Sequence, residues 1–344
     1  MNKNKQWLNS ENNIHVVPKT IHGNPKYISA DTGFGLQLGH DADSQFAAVE
    51  LKGEDGHEFS IMLHLMCMNP QKGKDTSYPI ALSIISMTDF TNNTYCAQED
   101  SFTIPDFTLS KDSMDVKTPI SYIRGNKEHL EMGADLPNGI GKITLTMDQK
   151  GPVLYNCSTG KFPFFGPNDE TGQFSLPYLE AKGVLELGDK KIKVSGNAWF
   201  DRQWVDADPD FYSRNFKWKW MNLQLNNGYR ISLWDVVVNK RDEHCWATIL
   251  SPKGAHMVVD VTPLEKGESD FFTGETGQIY PTKYHIEMPS IDSYFDVKVR
   301  GLLEQEIISP MGEDKYEAAC TFTGKFLGED VHGTNYVELV GSFK

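Results

Sequence analysis

The chain has 344 residues, 39% hydrophobic and 23% charged, which is the composition of a soluble globular protein long enough to bury a large core. Its formal net charge of −14 argues against a nucleic-acid or anionic-lipid partner, because phosphate surfaces repel it. No run approaches the ~18 apolar residues of a spanning helix, so no stable membrane insertion is expected.

The five cysteines (Cys67, Cys96, Cys157, Cys245 and Cys320) are odd in number and widely spaced, which fits reduced thiols better than a disulfide framework. With an N-terminus that lacks an apolar signal core, this predicts a cytoplasmic protein. No CxxC or HxxxH spacing occurs, so no metal is expected. The chain has no GxGxxG, GxxxxGK[ST] or GxSxG motif, so neither a nucleotide cofactor nor a serine elbow is expected.

In chain order, residues 1–35 are polar and turn-rich and read as an entry arm. From Phe46, two β-rich runs flank Glu54-Asp55-Gly56 and predict a hairpin. Further strands are expected at IALSIISMTDF, SFTIPDFTL, HLEMGADL and KITLTMDQ. Residues 151–182 carry four prolines and four glycines and read as a linker or a loop over a cavity mouth. That reading divides the chain at 182/183, giving β-domains over 1–182 and 183–344. Later strands are expected at CWATILS, AHMVVDV, KYHIEM, YFDVKVRG, YEAACTFTGKF and YVELVGSF, with GLLEQEII (301–308) as the best short helix candidate. Superposing Gly56 on Gly228 aligns 46–65 with 219–236, a weak hairpin repeat that points to two related β-domains in series. Leu63 then occupies the place of Asp235.

Residues 194–238 hold five of the seven tryptophans, with Asp201, Arg202 and Asp235 set among them. Strand alternation places Ile231, Leu233 and Asp235 on one face and Arg230, Ser232 and Trp234 on the other. If the first face is interior, Asp235 is a buried carboxylate that must be paired or protonated. A neutral acid in an apolar pocket can protonate a weak base such as an alkene. A strand-end Asp235 that merely accepts hydrogen bonds is the plain alternative. Phe200, Arg202 and Trp204 share a face, where Arg202 can stack on the rings or fork onto a carboxylate such as Glu338 or Asp235. Trp218, Trp220, Asn222 and Gln224 share another, a set suited to a mostly apolar ligand with a few polar groups.

VSGNAWFDRQW (194–204), KWKWMNLQLNNGYRISLWD, GETGQIYPTKYHIEMPS (274–290), LEQE (303–306) and the closing YVELVGSF resemble the AttH/CrtC lipocalin-like family. That family includes carotenoid 1,2-hydratases, with fungal isoflavonoid hydratases and decalin-forming pericyclases among its relatives. The resemblance implies an all-β fold of two lipocalin-like antiparallel barrel or sandwich domains in tandem, with a lipophilic small molecule as partner. It implies Asp235 as proton donor. Arg202 stands where the family often has His, and Leu233 where a Tyr is associated with the site. The implied site comprises Asp235 and Arg202 as catalytic groups, with Trp199, Trp204, Trp218, Trp220, Asn222, Gln224, Leu233, Tyr284 and Glu338 around the substrate. The expected function is cofactor-independent chemistry at a C=C bond, by hydration, isomerisation or cyclisation; a lipocalin-like carrier of an apolar ligand is the competing expectation.

Overall fold

The computed structural model describes residues 28–37, 39–69, 79–104, 106–110, 113–161, 171–205, 216–238, 242–310 and 314–343. Residues 1–27 of the expected entry arm lie outside them, as does the 162–170 part of the Pro/Gly-rich stretch. Among the described residues, twenty-two strands account for nearly all regular structure: β1 (Ala42–Gly53), β2 (Glu58–Met68), β3 (Ile80–Asp89), β4 (Thr94–Thr103), β5 (Thr108–Leu109), β6 (Met114–Lys117), β7 (Ser121–Gly125), β8 (His129–Asp135), β9 (Gly141–Gln149), β10 (Leu154–Tyr155), β11 (Gly172–Leu187) and β12 (Lys190–Val205) in the first part. The second part has β13 (Phe216–Leu225), β14 (Arg230–Val238), β15 (Asp242–Leu250), β16 (His256–Asp260), β17 (Glu268–Thr273), β18 (Ile279–Met288), β19 (Ser293–Val299), β20 (Glu306–Ile307), β21 (Lys315–Phe326) and β22 (Glu329–Gly341).

Two antiparallel sheets result. The first runs β4-β3-β2-β1-β12-β11-β9-β8-β7-β6-β5, and the second runs β16-β15-β14-β13-β22-β21-β19-β18-β17. The orders correspond from β4 to β7, with β6 and β5 as additions to the first sheet: an opening hairpin, its two outward neighbours, and a late strand that returns to pair with the first. The expected repeat is therefore a repeat of whole sheets. Gly56 and Gly228 hold the two opening turns at φ 88° and 89°, a left-handed conformation that favours glycine.

Two expectations need correction. The strand series beginning at Gly183 completes the first sheet: β12 pairs with β1 from Ala42↔Val205 to Gly53↔Val194. The first unit's described residues are thus 28–153 and 171–205, and those of the second are 154–161 and 216–343. The boundary expected at 182/183 fails because a composition break marked a loop within a sheet. The helix expected over 301–308 is also absent. Gly301 sits at φ 77°, the Gln305 side chain donates to the carbonyls of Arg300 and Leu302, and Glu306–Ile307 pairs with β21.

Burial explains the sequence patterns. β18 and β19 alternate buried and exposed residues, the signature of a sheet with one wet face. β1, β2, β3, β13 and β14 are buried on both faces over most of their length, so their text runs apolar almost without interruption. The central tryptophan-rich stretch falls largely in such strands.

Candidate functional site

The interior face of the second sheet gathers Met221, Leu223, Ile231, Leu233, Ala247, Tyr280, Phe295 and Leu339 into one apolar core. Asp235 belongs to that face, as alternation from Ile231 and Leu233 requires, and is 1% exposed. Its cross-strand neighbours are Lys219 on β13 and Cys245 on β15. Lys219 Nζ lies 3.7 Å from Asp235 Oδ2 and also pairs with Glu268 at the start of β17. Leu264 N–H donates to Asp235 Oδ2 at 3.1 Å, while Oδ1 has no hydrogen-bond partner among the described residues. Tyr284, paired with Glu268 across β17 and β18, is buried and donates its hydroxyl to the Pro281 carbonyl at 2.9 Å.

Two carboxyl groups thus share one ammonium inside an apolar wall. Burial pushes the Asp235 carboxyl above its ordinary range; Lys219 and the Leu264 amide pull it down, and the Glu268 charge pushes it further up. Burial works against the Lys219 charge, yet Asp235 and Glu268 outweigh it and leave the ammonium firmly protonated. Burial is the largest of these influences on Asp235, so the balance runs toward its protonated form, and Oδ1 is the oxygen without a partner among the described residues.

The opposite face of the same sheet carries the tryptophans. Trp220 stands 6.2 Å from Trp234, which stacks on Trp246 at 6.4 Å and 17°. Trp220 Nε1 donates to Ser232 Oγ at 3.1 Å, and Trp218 Nε1 donates to Glu338 Oε1 at 2.6 Å. Asn222 Oδ1 accepts the Tyr336 N–H at 2.7 Å, and Gln224 lies half-buried beyond it. Trp218, Trp220, Asn222, Gln224 and Glu338 are therefore brought together as expected. Asp235, Leu233 and Tyr284 occupy the interior face instead, so one sheet thickness separates the two groups.

Arg202 corrects another expectation. Its carboxylate partner is Asp43, at 2.7 Å from Nη2, rather than Glu338 or Asp235. Nη2 also donates to Gly35 O, and Nη1 to Ser44 O and Gln203 O. The guanidinium lies 5.6 Å from the Trp204 ring centroid, so the predicted stacking is present. Trp199, fully buried on the other face of β12, donates Nε1 to Asp201 Oδ1 at 2.7 Å.

Lys219 and Glu268 were not anticipated. Lys219 reads as a solvated residue within KWKWM, although the Met221-Leu223-Leu225 alternation carries it to the interior face. Glu268 opens ESDFFT, a polar strand whose residues are mostly exposed or half-buried and which no hydrophobic pattern announces.

Residues 42–342 match the sequence profile of the AttH-like family. A dehydratase of Emericella nidulans, asqC, is 28% identical over 247 residues, covering 64% of this chain and 70% of the relative. Among solved structures, an AttH-type protein of Nitrosomonas europaea superposes with a TM-score of 0.78 at 16% identity, covering 94% of this chain and 99% of its own. Kievitone hydratase of Nectria haematococca superposes at 0.75 with 21% identity, covering 92% and 93%. The likeness extends over both sheets, and the fold is all-β with two lipocalin-like antiparallel domains in tandem.

Proposed function

The chain belongs to the AttH-like family, and from that premise we propose that it is a cofactor-independent hydro-lyase of a lipophilic small molecule, with Asp235 as the acid. The observation that carries this reading is the buried Asp235 carboxyl, whose Oδ1 is unpartnered among the described residues and whose burial favours the protonated form. In the hydration direction that proton passes to one alkene carbon, the electron-poor carbon takes the oxygen of water, and the water proton returns to the carboxylate. In the dehydration direction the acid protonates a hydroxyl, water leaves, and the carboxylate accepts a proton from the adjacent carbon. Tyr284, opposite Glu268, supplies an aromatic ring on this face. Burial and the Glu268 charge favour the protonated form of Asp235, and Lys219 opposes them. The curated dehydratase supports water transfer to or from a carbon skeleton as the reaction type.

The test incubates the full chain with lipophilic alcohols and their alkenes in heavy-oxygen water, beside Asp235→Asn. Wild type is expected to incorporate or exchange label, and the variant to lose about 10²–10⁴-fold in rate. Equal rates in a folded variant would remove Asp235 from the chemistry. A product of unchanged mass would assign an isomerase or cyclase instead, and ligand bound but unaltered by both proteins would assign a carrier.

A further inference from the structure

The wet faces of the two sheets repeat one polar cluster but charge it differently. In the first sheet His129 on β8 meets Asp148 on β9, Nδ1 to Oδ1, at 2.7 Å; in the second, His285 on β18 meets Asp296 on β19 at the same distance. Two residues before each histidine and two after each aspartate stand lysines: Lys127 and Lys150 in the first sheet, Lys283 and Lys298 in the second. Lys283 and Lys298 lie directly opposite each other, a like-charge pair that weakens a sheet unless something answers it. The first sheet answers with carboxylates. Lys127 pairs with Asp31 and Glu128, and Lys150 reaches Asp148 and Glu180, each at 3.9 Å. In the second sheet Asp270 holds Lys283, but Asp296 is spent on His285, and Thr323 stands opposite Asp296 where Glu180 stands opposite Asp148. Lys298 is left without an ion pair among the described residues. The chain has 47 acidic residues against 33 basic ones, so the missing carboxylate is not for want of acids.

We propose that Lys283 and Lys298 hold the phosphate of a small phosphate monoester on this face. Their row across four strands reads Ser269, Lys283, Lys298, Thr321, with a hydroxyl on either side of the two ammoniums. With strands about 4.8 Å apart the row spans roughly 14 Å, room for a phosphate at its centre and ligand hydroxyls at its ends. An open cavity of about 430 Å³ lies over it, lined also by His285, Asp296 and Thr323. A dianion answers both ammoniums through charge-assisted hydrogen bonds, where a monocarboxylate would answer one. The net charge of −14 repels polyanionic surfaces, so the occupant is a small ester and not a nucleic acid or a lipid headgroup layer. These side chains stand on the wet face, opposite the interior face of Asp235, and the site does not rest on that residue's role as acid.

The experiment titrates the full chain with glycerol 3-phosphate, inorganic phosphate and glycerol, by calorimetry at one fixed ionic strength. Both phosphates are expected to bind and glycerol is not, with the ester the tighter because its hydroxyls reach the ends of the row. Lys298→Met should weaken phosphate binding about tenfold, the worth of one charge-assisted hydrogen bond. Thr323→Glu, which supplies the carboxylate that the first sheet has, should weaken it at least as much. Lys150→Met, at the matching place in the first sheet, should leave it unchanged. Inorganic phosphate binding as tightly as the ester would keep the site and make the free anion its ligand. No binding of either phosphate at millimolar concentration, or binding that survives both Lys298→Met and Thr323→Glu, would overturn it.

Discussion

The two sheets repeat one topology, and each buries an ion pair, but they treat the charges differently. In the first sheet, Arg202 and Asp43 are both wholly inaccessible and surrounded by donors and acceptors. Nη1 and Nη2 reach three carbonyls as well as the carboxylate, and Asp43 also receives Gln37 N–H at 2.7 Å and the Gln45 amide. In the second sheet, one ammonium faces two carboxyls, and one oxygen of Asp235 is left open. The first arrangement is what a buried pair needs in order to be a structural fixture. The second carries an excess of acid that no fold requires. The contrast is one of hydrogen bonding: Arg202 spends Nη1 and Nη2 on carbonyls and Asp43, whereas Asp235 keeps Oδ1 without a partner among the described residues.

Breaking the Arg202–Asp43 pair, in which only Arg202 Nε of the guanidinium lacks a partner among the described residues, should have the largest effect on stability. Arg202→Leu strands Asp43 without a cation in a sealed interior and is expected to cost about 3–5 kcal/mol, read as a fall in the urea midpoint at constant slope. A loss below ~1 kcal/mol would show that the pair is not the fixture its contacts indicate.

Lys219→Met attacks the second pair and should cost less, roughly 2–4 kcal/mol near neutral pH, because Asp235 can answer by taking up a proton. The sign follows from that answer. Without Lys219 the buried Asp235 carboxyl, already raised, holds its proton to still higher pH in the folded state than in the unfolded chain, so the penalty should shrink as pH falls toward 5. A penalty independent of pH would mean that the methylene stem of Lys219, rather than its charge, is what the core uses.

Much of the contrast was legible in the sequence. Apolar alternation and turn glycines locate the opening hairpins, and the alternation puts Asp235 on the same face as Ile231 and Leu233, though it does not say which face is interior. What escaped notice has physical causes. Arg202 finds Asp43 across 159 residues of chain, a pairing set by the return of β12 to β1 and unreadable from local spacing. Lys219 escaped because a charged side chain between tryptophans reads as solvated, and Glu268 because β17 is too polar to announce a strand. The boundary at 182/183 was misplaced for a related reason: Pro177 sits where the β11–β12 register shifts between Leu176 and Leu179, so a proline that marked a linker is accommodated at an irregularity within a strand.

Asp235→Asn is the mildest of the three for stability and the most informative. It removes one of two carboxyls competing for Lys219 and leaves the other ion pair standing, so a change within about 1 kcal/mol is expected near neutral pH. Its pH dependence reports on the raised Asp235 carboxyl, a direction that burial also gives Asp43. A buried acid whose folded-state pKa is raised binds its proton more tightly folded than unfolded, so wild type loses stability as pH rises from about 4 through that raised value. The variant lacks this titration. The difference in urea midpoint between Asp235→Asn and wild type should therefore move in the variant's favour between pH 4.5 and 7.5, the other carboxyls cancelling because both proteins carry them. A difference moving the opposite way would mean that Lys219 holds Asp235 as a carboxylate, and that the second sheet's ion pair is as settled as the first.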